Sequence, residues 1–408
     1  MRLIHTSDWH LGRSLINFRR YDEFEAFLNW LKQTIVAQSA DALIVAGDIF
    51  DTTSPSNRAQ QLYYQFIGSL AGTCCRHIII VAGNHDSPSF LDAPKEILRA
   101  LNVHVVGTAS ENADDEILVL KSADGKSQAV VCAVPYLRDR DIRSVEAGET
   151  IEQKGEKLLQ GIQKHYAEVC RKADLMRCES GDIPMIATGH LFAAGGRTVE
   201  EDGVKELYVG NLAHASIEIF PDTIDYFALG HLHIPQKVSG RDNVRYSGSP
   251  IAMGFGEAGQ QKKIMLVEFA GRTPEVTELP VPCFRLLVRE SGDMQTIVAG
   301  IDALKKQNRP VWLEVEYNGE ALIADLQEQV NSAVAGSEID VVRIKNQRLV
   351  RSLLEVCAAD ENLEDLKEAD IFNLCLDAHN IPDEQRPELD AAFREILVEL
   401  AETDVNRE

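Results

Sequence analysis

The chain has 408 residues, with 41 Lys and Arg against 64 Asp and Glu, a formal charge of −23. Apolar residues make up 45% and charged residues 26%, a globular balance that excludes wholesale disorder, collagen-like repeats and coiled-coil rods. No apolar run approaches the ~18 residues that cross a bilayer, the opening Met1-Arg2-Leu3-Ile4-His5 carries no secretory pattern, and eight scattered cysteines without a C-x-x-C pair read as reduced, buried thiols of a cytoplasmic protein.

In chain order, strand and helix signals alternate through the first half. Residues 1–7, 42–46 and 77–82 are apolar runs of buried-strand type. Between the first two, Phe24, Phe27, Leu28, Leu31 and Ile35 share one helix face; between the second and third, Leu62, Phe66, Ile67 and Leu70 do the same. Further strand-like runs stand at 103–106, 117–120, 129–134, 185–188, 226–229, 244–247 and 263–269, and 137–182 is charged and mostly helical in pattern. Pro280 and Pro282 mark a boundary. Beyond it the pattern predicts strand 284–289, helix 294–307, strand 311–317, helix 320–335 and strand 339–344, a β-α-β-α-β unit. Residues 355–408 hold 17 acidic and 4 basic residues, so the rest of the chain carries only −10. On this tail Leu389, Phe393, Ile396, Leu397 and Leu400 make an apolar stripe, read either as a helix folded back on the body or as a docking helix for a basic, apolar groove. The expected architecture is α/β: a layered, helix-flanked sandwich over 1–280, a small α/β domain over 281–347 and an acidic helical region over 348–408.

Five apolar runs share one grammar, each ending in metal-ligand residue types. They deliver Asp8 and His10, then Asp48, then Asn84, His85 and Asp86, then His190, then His231 and His233. Strand carboxyl ends in an α/β fold converge on one rim, where ligands bind. A lone His at a strand end is usually structural, and a lone Gly-Asp is usually a turn. Five together are another matter, because so many Asp and His side chains at one rim would bury charge and unpaired donors at several kcal/mol each. Two divalent cations remove that conflict. Carboxylates, imidazoles and one amide without a thiolate disfavour structural zinc and calcium, and suit a hydrolytic pair, manganese first, with magnesium, iron or zinc admissible. Glycines 47, 83, 189 and 230 are expected to let the backbone turn sharply as it leaves the sheet. His5, His77, His104, His165, His214 and His379 lack the grammar and read as structural or surface residues.

The ordered series Asp8-x-His10, Gly47-Asp48, Gly83-Asn84-His85-Asp86, His190 and Gly230-His231-x-His233 resembles the calcineurin-like metallophosphoesterase superfamily over roughly residues 1–270. The wording around it, with Tyr246-Ser-Gly-Ser-Pro250, resembles the Mre-type nucleases, which pair with Rad-type, in bacteria SbcC-like, ATPases. The resemblance implies a metallophosphoesterase sandwich, a capping domain over 281–347 and a partner-binding tail. It implies a first metal held by Asp8, His10, Asp48 and His233. A second would be held by Asp48, Asn84, His190 and His231, with Asp48 bridging. His85 would serve the transition state or leaving group, with Asp86 orienting its ring; a brace behind the ligands is the other reading of His85. Some relatives carry a His where Asp51 stands here, which leaves the role of that position open. The implied activity is ATP-dependent exonuclease action on duplex ends and endonuclease action on hairpins or single strands, in DNA repair, recombination and replication. The chain has no Gly-x-x-x-x-Gly-Lys-Ser/Thr phosphate loop, in keeping with an ATPase on the partner.

Phosphate binding needs cations. Arg13, Arg19 and Arg20, just past the first metal motif, are candidates for DNA backbone contacts, with solvated surface charge as the other reading. A homodimer through segments 57–70 and 89–101 is expected from the resemblance, with Leu62, Phe66, Ile97, Leu98 and Leu101 toward the partner; packing within one chain predicts the same pattern. A phosphoesterase of the same scaffold acting on a non-DNA substrate is the competing function.

Overall fold

The computed structural model describes residues 1–142, 149–193 and 220–346, apart from 320, 322 and 324, with scattered residues between 372 and 394. The chain forms two compact units, Met1–Leu287 and Val288–Glu408.

The first unit begins with β1 (Arg2–Thr6), the short hairpin β2 (Ser14–Leu15) and β3 (Phe18–Arg19), α1 (Tyr21–Ala37), β4 (Ala42–Ala46), α2 (Asn57–Leu70) and β5 (His77–Val81). Two single-turn helices, α3 (Pro88–Asp92) and α4 (Lys95–Arg99), lead to β6 (Val103–Val106). There follow β7 (Ile117–Lys121), β8 (Ser127–Cys132), α5 (Asp139–Ile142), α6 (Ile151–Ser180), β9 (Met185–His190), β10 (Tyr226–Gly230), β11 (Gln236–Val238), β12 (Arg241–Tyr246), β13 (Lys263–Ala270) and β14 (Thr273–Pro280). Two six-stranded sheets result, ordered β14-β13-β1-β4-β5-β6 and β11-β12-β10-β9-β8-β7. Among the strands that carry the motifs, β1, β4 and β5 pair in parallel in one sheet, and β9 and β10 pair in parallel in the other.

Alternation explains the layers. Leu3, Ile44, Ile79 and Val81 pack between the sheets with Ala129, Val131, Ile186 and Ala228. Their neighbours in sequence, Ile4, Leu43, Val45, Ile78 and Ile80, face the other way and meet Phe24, Phe27, Leu31, Ile67 and Leu70 from α1 and α2. On the far side, Cys132, Met185, Ala187 and Phe227 meet Leu158, Ile162, Tyr166 and Val169 of α6. Strands covered on both faces read as continuous apolar runs, which is how they showed in the sequence. This unit is the expected layered α/β fold, helices outside two stacked sheets. Helix α6 is fixed at its start by reciprocal Thr150 and Gln153 capping bonds.

Among the departures from expectation, two concern the edge and the surface of this unit. No residue pattern signals β14, whose Thr-Pro-Glu-Val-Thr-Glu-Leu-Pro is half polar and holds prolines at both ends; it is an edge strand, which tolerates both. The five residues assigned to a dimer face divide. Leu62, Phe66 and Leu98 lie in this chain's own core, while Ile97 and Leu101 are 75% and 50% exposed.

In the second unit β15 (Leu286–Gly292), which begins just before the boundary, β16 (Val311–Tyr317) and β17 (Ile339–Asn346) form a three-stranded sheet, β15-β16-β17. Helices α7 (Met294–Lys305) and α8 (Leu326–Val334) alternate with them, and Ile297, Ile301, Leu313, Val315 and Val330 are buried. Glu314 is buried too, and takes hydrogen bonds from Arg289 and Arg343. Of the apolar stripe on the acidic tail, Leu389 is exposed and the Phe393 ring stacks on Phe372 at 4.1 Å; Ile396, Leu397 and Leu400 lie outside the described residues, as does most of 348–408. His214 and His379 also lie outside them, and of the cysteines expected to be buried, Cys178 and Cys283 are exposed. Among the described residues no helix is long and apolar enough to cross a membrane.

Candidate metal centre

The loops that leave β1 and β4 are zipped together. Asp8 donates its N–H to the Gly47 carbonyl at 2.9 Å, His10 to that of Asp48 at 3.0 Å, and Leu11 to that of Ile49 at 2.9 Å. Along this seam Asp8 (φ 53°), His10 (φ 48°) and Asp48 (φ 51°) take left-handed backbone, which costs a residue with a Cβ about 1–3 kcal/mol. Cross-loop hydrogen bonds and burial hold them there. Of the four glycines expected to turn the chain, Gly47 alone is left-handed, at φ 91°. Gly83 and Gly230 answer to space instead: a Cβ would stand 2.1 Å from Asp48 Oδ1 in one case and 1.9 Å from the Ala46 carbonyl oxygen in the other.

These loops bring the sequence-derived ligand candidates to one rim. Asp8 is fully buried; its Oδ1 accepts the His231 N–H at 2.9 Å and its Oδ2 the Ser7 hydroxyl at 2.5 Å. His10 and His233 face each other, Nε2 to Nε2, at 3.2 Å. Asp48 stands between the two halves of the site. Its Oδ2 is 3.6 Å from His10 Nε2 and 3.3 Å from His190 Nε2, and its Oδ1 accepts the His85 N–H at 2.9 Å. His190 Nδ1 donates to the Ala46 carbonyl at 3.0 Å, so in the neutral ring Nε2 keeps its lone pair, 3.0 Å from Asn84 Oδ1. The His231 ring lies 5.4 Å from that of His190.

Electrostatics mark where positive charge is wanted. Burial alone would lower His190, yet Asp48 and Asp8 outweigh it and raise the imidazole to about 9. His233 is raised as well: burial opposes, and the Glu257 hydrogen bond and Asp8 prevail. Burial lowers His10 and His231. Burial raises Asp8, whereas at Asp48 it is overcome by His190 and His10, and the carboxyl is held well below the usual range.

The donor set fits divalent ions. The donor atoms of Asp8, His10 and His233 lie within 4.8 Å of one another, and so do those of Asp8, Asp48 and His190. Two imidazole nitrogens facing at 3.2 Å repel through their lone pairs unless a proton or cation lies between them. Nitrogen and oxygen donors without sulfur suit manganese, iron, magnesium or zinc in a hydrolytic role. A third group of donors, His10, Asp51 and His85, is equally close-set.

Some candidates serve other ends than expected. Asp86 does not orient His85. Its carboxylate is fully buried and takes three backbone N–H groups, Gly83 at 2.8 Å and Ile49 at 3.1 Å on one oxygen and Phe50 at 2.9 Å on the other. It therefore ties the loop after β5 to the loop after β4, and burial with nearby Asp48 pushes it up to about 6 despite those bonds. The His85 ring is braced by Asp51 instead, whose carbonyl oxygen accepts from Nδ1 at 2.8 Å. The Asp51 carboxylate lies 3.3 Å from His10 Nδ1, off hydrogen-bond geometry, and accepts from Arg13 at 3.2 Å. Arg13 is thus engaged in supporting Asp51. Arg20 is excluded as a DNA contact: it is buried, with Nε on Glu23 at 2.8 Å and Nη1 on the Ala252 carbonyl at 2.6 Å. Arg19, on β3, is exposed.

Sequence reasoning missed Glu257 and Lys262. Glu257 is fully buried with Oε1 3.3 Å from His233 Nδ1, and its other oxygen pairs with the Lys262 ammonium. Burial alone would raise Glu257, but His233 and Lys262 outweigh it and hold the carboxyl at about 2. Both residues lie between β12 and β13, Glu257 at the end of a single 3-10 turn (Phe255–Glu257), where no periodicity or motif spacing marks them out.

The calcineurin-like phosphoesterase profile matches residues 1–235, and a profile described as type 5 capsule protein repressor C-terminal domain matches 283–380. The SbcD subunit of the SbcCD nuclease from Escherichia coli strain K12 is 36% identical over 98% of this chain and 99% of its own. Its counterpart from Rhodobacter capsulatus is 35% identical over 76% of this chain and 77% of its own. Among solved structures, a dimetal phosphatase from Danio rerio aligns at TM-score 0.37 and 12% identity, over 69% of this chain and 99% of that one.

Proposed function

We propose, from the premise that the chain belongs to the calcineurin-like phosphoesterases and to their SbcD nuclease family, that it cuts DNA as one subunit of an ATP-dependent complex. The family makes it a metal-dependent phosphodiester hydrolase. The finer reading is exonuclease action on double-strand ends and endonuclease action on hairpins or single strands, with an SbcC-type subunit supplying the ATPase. The observation that carries it is the meeting of five strand ends from two sheets in one cluster, with Asp8, His10, Asp48, His190, His231 and His233 buried and Asn84 and His85 half-buried.

In this reading Asp8, His10, Asp48 and His233 hold one ion, and Asp48, Asn84, His190 and His231 hold the other. Two divalent ions, manganese first, supply an activated water and charge neutralisation on the phosphoryl oxygens. The chain's own groups do the rest. Asp48 keeps both halves of the site at a fixed separation. His85 donates Nδ1–H to the Asp51 carbonyl, which leaves Nε2 as the nitrogen that delivers a proton to the leaving oxygen when the ring is cationic. Exposed Arg19 contacts a DNA phosphate in this reading. The protein works in the cytoplasm as a two-fold dimer, with exposed Ile97 and Leu101 on the contact face. Region 348–408 docks the ATPase.

The test is manganese-dependent cleavage of a hairpin-ended duplex, with and without an SbcC-type partner and ATP. Cleavage that rises with partner and ATP is expected. Hydrolysis of a small phosphodiester with no DNA cut under any condition would overturn the nuclease reading in favour of a non-DNA phosphoesterase.

A further inference from the structure

We infer that Glu257, anchored by Lys262, is a positioning residue for His233, and that this pair sets the affinity of the His10–His233 half of the site for its divalent ion. The inference rests on the two-ion reading above. His233 is gripped at both ends. Its ring nitrogen Nδ1 meets Glu257 Oε1 at 3.3 Å, while its main-chain carbonyl accepts from Lys262 Nζ at 3.1 Å. The same ammonium donates to Ser249 Oγ at 3.0 Å and pairs with Glu257 Oε2, and that oxygen also accepts the Met253 N–H at 2.9 Å. Both charges are out of solvent, Glu257 fully and Lys262 at 5% exposure.

Burying such a pair is costly, and apolar side chains would often fill the space as well or better. An ion pair with one carboxylate oxygen against a ligand-type imidazole has a use that apolar packing lacks. A carboxylate behind Nδ1 fixes the ring and makes Nε2 the stronger donor. The contrast within the site is direct: His190, in the other half, has only the neutral Ala46 carbonyl on its Nδ1. Gly248 belongs to the same support. It is left-handed at φ 75°, and a Cβ there would stand 2.7 Å from the His233 carbonyl oxygen.

The plain structural alternative is that the pair merely ties down the loop between β12 and β13. Metal binding separates the two. Full-length wild type and Glu257→Gln are titrated with Mn2+ by calorimetry, and their Mn2+ electron paramagnetic resonance spectra are recorded at two ions per chain. Expected are two ions in the wild type with a spin-coupled spectrum. In the variant one site keeps its affinity and one weakens about 10–100-fold, with an isolated six-line signal. Two wild-type affinities in the variant, or equal weakening of both sites, would overturn the inference alone. Fewer than two ions in the wild type would overturn the two-ion reading and the inference with it. Should Glu257→Gln fail to fold, Glu257→Asp is read by the same criteria, since it keeps charge for Lys262 and withdraws it from His233.

Discussion

The two ends of the site are built differently. At one end His233 is buried, with a buried carboxylate behind its ring and a buried ammonium behind that carboxylate. At the other, His85 is half-buried and braced by the neutral Asp51 carbonyl, while the Asp51 side chain is shared with His10 and a partly exposed Arg13. A ring that only holds an ion is best fixed and made electron-rich. A ring that must deliver a proton to a substrate needs access to solvent and freedom to change charge. In the proposed reading the closed end holds an ion and the open end serves turnover.

Changes at the junction and at each end test this division. The largest effect is expected at the junction. Asp48→Asn removes the charge facing both His10 and His190, and should lower turnover of a small phosphodiester about 10³-fold and reduce bound manganese together, by assay and elemental analysis. Unchanged metal content would disconnect Asp48 from binding. At the open end, His85→Gln should lower kcat about 10²–10³-fold with manganese content unchanged. Loss of metal in that variant would make His85 a ligand and erase the distinction between the ends.

The arginines sharpen the same contrast. Arg20→Ala breaks a buried pair with Glu23 and should cost about 3 kcal/mol in urea unfolding while DNA affinity stays at wild type. Arg19→Ala should leave stability alone and reduce the slope of log affinity against log salt by about 1. The reverse pattern would restore Arg20 as a phosphate contact.

The smallest effect belongs to a histidine outside both ends. His5 is buried between the sheets, with Nδ1 on the Tyr226 hydroxyl at 2.9 Å and Nε2 on the Leu229 carbonyl at 3.2 Å. Burial lowers it to about 3, although the bond to Leu229 works the other way. The unfolded chain therefore binds a proton here more readily than the folded one between pH 6.5 and 3. Its contribution to stability is fully present above pH 6.5 and is lost on acidification, by up to about 1.4 kcal/mol per pH unit. Urea titrations from pH 7 to 5 should show a shallower fall in His5→Gln than in wild type; parallel curves would remove His5 from the acid limb.

The rim was legible because each ligand candidate follows an apolar run, and the run fixes where the strand ends. Phe24, Phe27, Leu31 and their spacing marked α1, and Leu62 to Leu70 marked most of α2, for the same reason of periodicity. What stayed hidden depends on contacts that are long-range or carry no period. Asp86 stands next to His85 in sequence yet faces the opposite way, toward the N–H groups of Ile49 and Phe50. Arg20 beside Arg19 reads as a surface pair, and one buries while the other stays out. Glu257 lies 24 residues past His233, so only the fold joins them. Edge strand β14 carries too few apolar residues to show a period: Val276 packs on one core cluster and Leu279 on another, and the rest is mostly polar or proline.

Two ions sharing this rim across Asp48 are tested most directly by anomalous diffraction from crystals soaked in manganese. Two peaks about 3.5–4 Å apart are predicted. One should lie against His10 and His233, the other against Asn84 and His190, with Asp48 between them. A single peak, or two peaks without Asp48 in common, would contradict the account.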